Sequence, residues 1–334
     1  MKKYFCLLII VLFIGCQLDV PSFFKKDSGH LTIMTWNVQN LMDDHDDGTE
    51  YSEYKSSSGW TGEMYRWRLS QTGKIIKEAG YPDIIILNEI ENEQVVKDLC
   101  KGPLKFRGYN WYAVKSAENG PISTAILSKF AIKKVRIHSV EGCRPVIEAE
   151  IEGPEEPLFV LACHGKSNLG GKKETEAKRL ALSKTLNYAA ERIKRDNQNA
   201  AVVAAGDFNG SVQDSQLLNG EQPAIVEKGS NNIAEENGSL VVSGVKGREC
   251  WYSPWLDSSF SSFKGSYWWS GSWEDYDSVY CSPSLFDDQG MVFSDFEVIT
   301  CSANSNADGT PRKWERNLLD GISDHFPVKV TLQL

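Results

Sequence analysis

Short runs of apolar residues recur along the chain from residue 31 onward, and most have the length of β-strands. They are rich in β-branched or aromatic residues and are bounded by Gly, Pro, Asn or Asp, which is typical of strands. The runs predict strands over residues 31–36, 83–87, 111–114, 124–127, 146–151, 158–163, 201–205, 278–281 and 326–332.

Two longer segments, 61–79 and 174–195, have apolar positions at helical spacing among charged residues. Strands outnumber these helices, and several neighbouring strands have no helix between them. The pattern therefore favours an α+β fold with two packed mixed β-sheets flanked by helices over strict β-α-β alternation. Residues 211–260 are rich in Gly, Ser and Asn and predict long surface loops.

The first sixteen residues predict a targeting signal. Lys2 and Lys3 precede an apolar run over 4–14, which is too short to span a bilayer because a spanning helix needs about 20 residues. The run ends at Gly15-Cys16 and resembles a bacterial lipoprotein signal, in which the Cys is lipidated. An ordinary signal peptide with a coincidental Cys is the alternative.

We therefore expect a lipoprotein signal peptide over residues 1–16, a polar tether over 17–29 and one domain over 30–334. The mature protein would be exported and lipid-anchored to a bacterial membrane, facing the periplasm or the cell surface.

The composition excludes wholesale disorder, since 41% of the 334 residues are apolar and 11% are aromatic. A formal net charge of −9 repels polyanions, so nucleic-acid binding would need a local basic cleft or a bridging metal. Six of the eight cysteines follow Cys16. They permit disulfides of undetermined pairing in an exported protein, and buried free thiols are the alternative for at least two.

Polar residues at the ends of the predicted strands are types that bind metals or transfer protons. Carboxylate and amide oxygens suit Mg²⁺, and histidine transfers protons near neutral pH. Because strand ends offer a rigid platform, these side chains predict a phosphoryl-transfer site without a covalent nucleophile. They are Asn37, Glu89, His164, Asp207, Asn209, Asp324 and His325.

Five motifs around these residues resemble, in order, those of the endonuclease/exonuclease/phosphatase family, which has the deoxyribonuclease-I-like fold. They are TWNVQNL at 35–41, DIIILNEIEN at 83–92, GDFN at 206–209, GSYWWSGSWEDYD at 265–277 and SDHFPV at 323–328. The resemblance covers residues 31–334. It implies a four-layer α/β sandwich and a metal-dependent phosphodiesterase that uses Mg²⁺, with Mn²⁺ or Ca²⁺ as alternatives.

The resemblance also implies roles for single residues. Glu89 would be the principal metal ligand, with Asn37 and Asp324 nearby. His325 would be a general acid or base, oriented by Asp277 through a hydrogen bond from its ring.

The remaining implied roles concern the water and the phosphate. Asp207 and Asn209 would orient the attacking water and hold the phosphate, and His164 would bond a phosphate oxygen or protonate the leaving group. The resemblance leaves open which histidine is the base. The reaction would be in-line attack of water on phosphorus, with the metal neutralising the developing charge.

Several assignments have alternatives. Asp275 lies two residues from Asp277, on the same face of a strand, and could take its place. Arg144 could bind phosphate or be an ordinary surface residue. Three tryptophans could stack on bases, although burial between two strands is the favoured interpretation. They are Trp268, Trp269 and Trp273.

The acidic stretch 43–48 suggests calcium but fails the spacing of an EF-hand loop. With Gly48 at position six, position three is His45 and position twelve is Tyr54, and neither matches. We expect a solvated loop.

The segment HGKS at 164–167 and the following GGKKE at 170–174 are similar to a segment of extracellular nucleases. Its basic side chains could track a phosphate backbone despite the acidic total, or could be a solvated helix start. They are Lys166, Lys172, Lys173 and Arg179.

We therefore expect an exported nuclease that hydrolyses DNA and acts as a monomer. The first alternative is a phosphatase or lipid phosphodiesterase of the same fold, of the sphingomyelinase or inositol-phosphatase type. A second is a non-catalytic surface-binding lipoprotein.

Overall fold

The computed structural model describes residues 29–153, 156–216, 222–230 and 237–334. The predicted signal peptide, Cys16 and the tether up to residue 28 lie outside the described residues. Within the described ranges, the longest apolar stretches of the helices fall short of what crossing a membrane requires.

The described residues form three α-helices and sixteen strands. The helices are α1 (Gly62–Glu78), α2 (Glu93–Lys101) and α3 (Lys172–Asp196). The strands are β1 (His30–Leu41), β2 (Ile84–Ile90), β3 (Trp111–Ser116), β4 (Ser123–Ser128), β5 (Ile132–His138), β6 (Val146–Ile151), β7 (Leu158–His164), β8 (Ala201–Asp207), β9 (Ile225–Glu227), β10 (Leu240–Ser243), β11 (Trp251–Tyr252), β12 (Tyr267–Trp269), β13 (Ser272–Glu274), β14 (Asp277–Cys281), β15 (Val292–Val298) and β16 (Val328–Gln333).

Most of the strands belong to two mixed sheets. The six-stranded sheet has the order β15-β16-β1-β2-β4-β3, and the eight-stranded sheet has the order β5-β6-β7-β8-β14-β11-β10-β9. Strands β12 and β13 form a separate pair. The central pairs β1–β2 and β7–β8 are parallel. The carboxyl ends of each pair therefore meet at one edge of their sheet.

The two sheets pack face to face and share one core. Ile33 and Ile84 of the six-stranded sheet belong to the same buried cluster as Val160 and Val203 of the eight-stranded sheet. Alternate residues point outward against helices, and they are equally apolar. Because the central strands are buried on both faces, they appear in the sequence as continuous apolar runs.

Helices cover both outer faces. Residues such as Ile85 pack with α1 and α2 on one side, and Leu161 packs against Leu186 of α3 on the other. The structure therefore confirms the predicted α+β fold, with two mixed sheets inside a four-layer sandwich.

The prediction of long surface loops over 211–260 is wrong for part of that segment. Strands β9, β10 and β11 lie there and extend the eight-stranded sheet, with Ile225, Leu240 and Trp251 buried. These strands are two to four residues long. Such short apolar runs among Gly, Ser and Asn do not show strand periodicity in the sequence.

Other elements were not predicted from the apolar pattern. Strand β5 is largely exposed and highly charged, so its pattern is weak. Helix α2 is short but has a sequence signal, because the side chain of Asn92 accepts hydrogen bonds from the backbone N–H groups of Gln94 and Val95. Strand β16, in contrast, was predicted over residues 326–332; it begins at Val328, after Pro327, which has no N–H to pair.

The cysteines include buried thiols. Cys163 and Cys281 are fully buried and free, which matches the alternative to disulfides for at least two of them. Cys100, Cys143 and Cys301 are also free thiols.

Arg68 ties helix α1 to two segments that carry site residues. It is fully buried, and its guanidinium donates hydrogen bonds to the backbone oxygens of Val38 and Gln39 at 2.6 and 2.8 Å. It also donates to the oxygen of Ile322, just before the SDHFPV motif. One side chain therefore holds the end of β1 against the segment that leads to Asp324 and His325.

An Arg68→Met variant should lower the free energy of unfolding by about 3 kcal/mol, because three backbone carbonyls lose a buried charged donor. Chemical denaturation would measure the change. Arg66→Met removes an exposed charge from the same helix and should leave stability within about 0.5 kcal/mol of wild type. Equal effects of the two substitutions would contradict a structural role for Arg68.

Candidate active site

The predicted site residues come together at one edge of the sandwich. Asn37 pairs with Asn88 where the parallel strands β1 and β2 end. His164 pairs with Asp207 where β7 and β8 end, and Asp207 pairs with Asp277 at the start of β14. Hydrogen bonds then join the two sheets at this edge. The backbone N–H of Asp207, for example, donates to the Asn88 side chain at 2.9 Å.

Asn37 bridges two carboxylates. Its Nδ2 donates to Glu89 Oε1 at 3.0 Å and to Asp207 Oδ2 at 2.9 Å. Its Oδ1 accepts the backbone N–H of Gln39 at 2.9 Å. The amide therefore places Glu89 and Asp207, which come from different sheets, at the same point.

The backbone at Glu89 is bent to present the side chain. Its φ is 63°, in the left-handed region, and the pairing of β2 with β4 shifts register between Asn88 and Ile90. The backbone N–H of Asn40 donates to Glu89 Oε2 at 3.1 Å. About 20% of the Glu89 side chain remains exposed, so solvent, metal or phosphate can reach it. A strained conformation of this kind is typical of functional positions.

The donor set fits a hard divalent cation. Glu89, Asp207 and Asp324 supply oxygen ligands, which Mg²⁺ prefers. Burial raises the pKa of Glu89, and the charge of Asp324 raises it further. Burial likewise raises the pKa of Asp207 to about 6. A cation between these groups would relieve their mutual repulsion. Asn37 would have to rotate its amide to offer oxygen, because its NH₂ group faces the carboxylates.

His325 is held by a carboxylate. Its Nδ1 lies 2.5 Å from Asp277 Oδ2, and both side chains are buried. The Ser266 hydroxyl donates to the same oxygen at 2.9 Å, and the backbone N–H of Asn37 donates to Asp277 Oδ1 at 3.3 Å. With Nδ1 bound in this way, Nε2 is the ring nitrogen left to exchange a proton with a substrate.

The surroundings of His325 favour its charged form. Burial lowers the pKa of its imidazole, but the adjacent Asp277 overrides this effect and, with Asp324 and Asp207, raises the pKa to about 10. The ring of Tyr267 stacks on the imidazole, with centroids 4.4 Å apart. The carboxylate and the stacked ring together fix the position of the imidazole.

His164 lies in the same pocket without a carboxylate at Nδ1. Its Nε2 is 3.5 Å from Asp207 Oδ2 and 3.9 Å from Glu89 Oε1. Its Nδ1 is buried and has no hydrogen-bond partner within the described chain. Burial lowers the pKa of His164 well below its ordinary value, and the charge of Arg144 lowers it further. His164 is therefore the neutral histidine of the site, and His325 the charged one.

Asn209 and Asp324 flank the pocket. The backbone N–H of Asn209 donates to Asp207 Oδ1 at 2.9 Å, and Asn209 has a φ of 51°, which asparagine tolerates well. Asp324 keeps about 25% of its side chain exposed, and its Oδ1 lies 3.9 Å from His325 Nε2. Gln39 Oε1 accepts the backbone N–H of Asp324 at 3.0 Å.

The predicted basic cluster is only partly available to a ligand. Arg179 is buried and donates to Glu176, to Thr175 and to the backbone oxygens of Lys166 and Lys172, so it is a structural residue of α3. The Lys172 ammonium is bonded to Asp214 at 2.7 Å.

Arg144 and Lys166 remain near the site. The charge of Arg144 lowers the pKa values of Glu89 and His164, and that of Lys166 lowers the pKa of His164. Both residues are half-buried.

Asp275, the alternative to Asp277, lies in a different environment. Its carboxyl is buried and one oxygen has no hydrogen-bond partner within the described chain. Burial raises its pKa to about 7, and the charges of Asp214 and Glu274 add to the effect. The structure therefore places Asp277, and not Asp275, against His325.

An Asp275→Asn variant should flatten the pH dependence of stability. Because the pKa of Asp275 is raised in the native state, the protonated carboxyl stabilises the folded protein fully below about pH 3.8. This stabilisation is lost as the pH rises through about 7. The variant should therefore gain stability over wild type between pH 4 and 8, by an amount on the order of a few kcal/mol. Urea denaturation across this range would measure it. If stability changed with pH in the same way in the variant and in wild type, the raised pKa of Asp275 would be contradicted. The control is Asp295→Asn at an exposed position, which should show the same pH dependence as wild type.

Sequence reasoning missed several residues that position the site, although most lie inside the motifs. Ser323 Oγ donates to the backbone oxygen of Asn37 at 2.6 Å and accepts the N–H of His325 at 3.0 Å. Ser266 and Asn88 support Asp277 and Asp207 as described above. Small polar residues of this kind give no separate signal, because their roles depend on partners far away in the chain.

A sequence model of the endonuclease/exonuclease/phosphatase family matches residues 32–334. The chain belongs to this family. Members of the family are generally divalent-metal-dependent phosphoesterases, which agrees with the oxygen-rich cluster. None of the curated proteins matches the chain.

Three solved structures share the fold. TDP2 from Caenorhabditis elegans is 18% identical and has a TM-score of 0.56, with 91% of this chain and 74% of that chain covered. D. rerio TDP2 in complex with a single-strand DNA product is 15% identical, with a TM-score of 0.56 and coverage of 91% and 99%. The human Nocturnin catalytic domain with a bound sulfate is 14% identical, with a TM-score of 0.53 and coverage of 91% and 93%.

Proposed function

We propose that this family member is a divalent-metal-dependent phosphodiesterase that hydrolyses DNA. The observation that carries the proposal is the meeting of the Glu89–Asn37–Asp207 cluster with the His325–Asp277 pair in one pocket. An oxygen-donor site beside an oriented histidine supplies what hydrolysis of a phosphodiester needs.

Glu89, with Asp207, Asn37 and Asp324 nearby, would hold the metal. When bound, a divalent cation neutralises the negative charge that develops on the phosphate oxygens. Asp207 would accept a hydrogen bond from the attacking water, because its carboxylate is already fixed by Asn37 and Asn209.

The two histidines would divide the remaining work. His325 exchanges a proton at Nε2, because Asp277 holds its Nδ1 and stabilises the charged ring. Neutral His164 would donate a hydrogen bond to a non-bridging phosphate oxygen. Arg144 and Lys166 would add positive charge on the side of the pocket near His164.

Aromatic rings beside the site favour a nucleic acid over a lipid or an inositol phosphate. Tyr267 stacks on His325 and also on Trp269, with ring planes 8° apart and centroids separated by 6.4 Å. Trp269 is 63% exposed. A ladder of rings that leads from the reacting centre to the surface is suited to stacking with bases. The complex of D. rerio TDP2 with a single-strand DNA product is consistent with this choice.

The first test is to incubate the full-length protein, purified in detergent, with single-stranded and plasmid DNA in Mg²⁺. DNA cleavage that EDTA abolishes and that His325→Ala removes would support the proposal. Intact DNA together with hydrolysis of sphingomyelin or inositol phosphates would replace the nuclease by the lipid or phosphatase alternative. No hydrolysis of any substrate would favour the non-catalytic binding protein.

We also propose that the protein is exported and anchored to the membrane through lipidated Cys16. In this setting a tethered nuclease would act on DNA outside the cytoplasm. Cell fractionation would test the anchor, since Cys16→Ser should move the protein out of the membrane fraction. Retention of the variant in that fraction would overturn this proposal without affecting the proposed chemistry.

A further inference from the structure

A second cluster of carboxylates lies outside the active site. Asp47 and Glu50 belong to the loop that follows β1, and Glu91 directly follows β2. One carboxylate oxygen from each of the three residues lies within 4.8 Å of the others. No Lys or Arg of the described chain forms an ion pair with them. Three carboxyl groups therefore converge without a protein cation.

Glu91 has an unsatisfied oxygen in this cluster. The residue is only 4% exposed, and its Oε2 accepts the backbone N–H of Asp43 at 2.6 Å. Its Oε1 is buried and has no hydrogen-bond partner among the described residues. A buried carboxylate oxygen without a partner is costly, so such atoms normally have a ligand.

Glu50 is buried as well, although it lies at the end of a polar loop. It is 8% exposed, and both of its carboxylate oxygens accept the backbone N–H of Gly48 at 3.0 Å. Asp47 is exposed, and its Oδ1 accepts hydrogen bonds from Thr49. The cluster therefore has two buried carboxylates and one that faces solvent.

We propose that Asp47, Glu50 and Glu91 bind a hard divalent cation, with Ca²⁺ the best fit, at a site separate from Glu89. Ca²⁺ takes six to eight oxygen ligands in flexible geometry, and the solvent-facing side at Asp47 leaves room for waters. Mg²⁺ requires a nearly ideal octahedron, which an irregular loop supplies less readily. The proposal stands independently of the proposed hydrolysis.

A neighbouring group offers a weaker site. Asp43, Asp44 and His45 also bring ligand atoms within 4.8 Å of one another. However, Asp43 already accepts hydrogen bonds from the backbone of His45 at 2.8 Å and from Asn92 at 2.9 Å. Asp44 and His45 are exposed. This group therefore contains no buried side-chain oxygen or nitrogen that lacks a hydrogen-bond partner.

The proposed cation would fasten the loop to strand β2 next to the active site. The same loop follows the end of β1, where the backbone N–H of Asn40 donates a hydrogen bond to Glu89. It leads to Tyr51, and burial together with the charge of Glu89 raises the pKa of this tyrosine. A cation bound to Glu91 would therefore order two backbone segments that position Glu89, namely the end of β2 and the end of β1. Ca²⁺ should raise the melting temperature, because a ligand that binds only the native state stabilises it.

Calorimetric titration with CaCl₂ would test the site in a Glu89→Gln background, where the catalytic ligand is absent. We expect one Ca²⁺ per chain and a rise in melting temperature. Adding Glu91→Gln should lower the Ca²⁺ affinity at least about tenfold and remove the thermal shift. Adding Asp47→Asn should weaken binding in the same direction, and because Asp47 is exposed, this variant should fold normally. Adding the matched Glu53→Gln, an exposed acidic residue nearby, should change neither readout.

Three results would overturn the proposal. The first is the absence of Ca²⁺ binding by the Glu89→Gln protein. The second is binding that Glu91→Gln and Asp47→Asn leave intact. The third is binding that Asp44→Asn removes and Asp47→Asn does not, which would place the ion at the neighbouring group. None of these results depends on hydrolysis, so failure here is distinguishable from failure of the proposed function.

Discussion

A Glu89→Gln variant should lower kcat/KM for phosphodiester hydrolysis by about 10³-fold or more. The substitution keeps the shape of the side chain and its contact with Asn40 but removes the charge that would hold the metal. Metal-ion stabilisation of the developing charge is worth several kcal/mol, and each 1.36 kcal/mol corresponds to about tenfold in rate. Initial rates of cleavage of a fluorescent oligonucleotide in Mg²⁺ would measure the loss.

The control for this prediction is Glu93→Gln. Glu93 is an exposed residue of α2 that pairs with Lys97, and its replacement should leave the rate within about twofold, because exposed ion pairs contribute little. Circular dichroism would show that both variants fold. A folded Glu89→Gln protein with wild-type activity would mean that the metal, or the whole reaction, is located elsewhere.

An Asp277→Asn variant should lower kcat by about 10³- to 10⁴-fold. Asp277 accepts the Nδ1 proton of His325, and an amide in its place can present its NH₂ group to the ring and favour the wrong tautomer. The same substitution behind a catalytic histidine costs about 10⁴-fold in serine proteases. The pKa of His325 should also fall from about 10 toward 6.5, which NMR titration of the imidazole in metal-free protein would detect.

Asp275→Asn is the matched control, since it makes the same chemical change two residues away. Asp275 does not touch His325, so this variant should keep activity even though its stability changes with pH. If Asp275→Asn were the inactive variant and Asp277→Asn the active one, the assignment of the histidine partner would be wrong. An unchanged NMR titration of His325 in Asp277→Asn would contradict the electrostatic account of its raised pKa.

The local pattern was sufficient to predict the central architecture. Runs such as 84–87 and 158–163 are apolar at every position because the strands are buried on both faces. Such runs identify two-sided burial before any contact is known. The helices α1 and α3 were predicted within two residues of their ends, because each has an apolar stripe at helical spacing that matches a single buried face.

The pattern was insufficient where burial is short or partial. The three strands within 211–260 have too few residues to show a period, and β5 carries charges along an exposed edge. Their positions are determined by pairing with a sheet that is already formed. A method that reads only local periodicity cannot recover them.

The sequence alone determined which residue types stand at the strand ends, and this was enough to predict the set Asn37, Glu89, His164, Asp207 and His325. Only the tertiary structure decided their partners: Asp277 and not Asp275 faces His325, Arg179 is buried in α3, and Glu91 meets the loop after β1. The physical reason is that a strand-end position follows from the local chain, whereas a side-chain contact depends on the order and register of strands separated by tens to hundreds of residues.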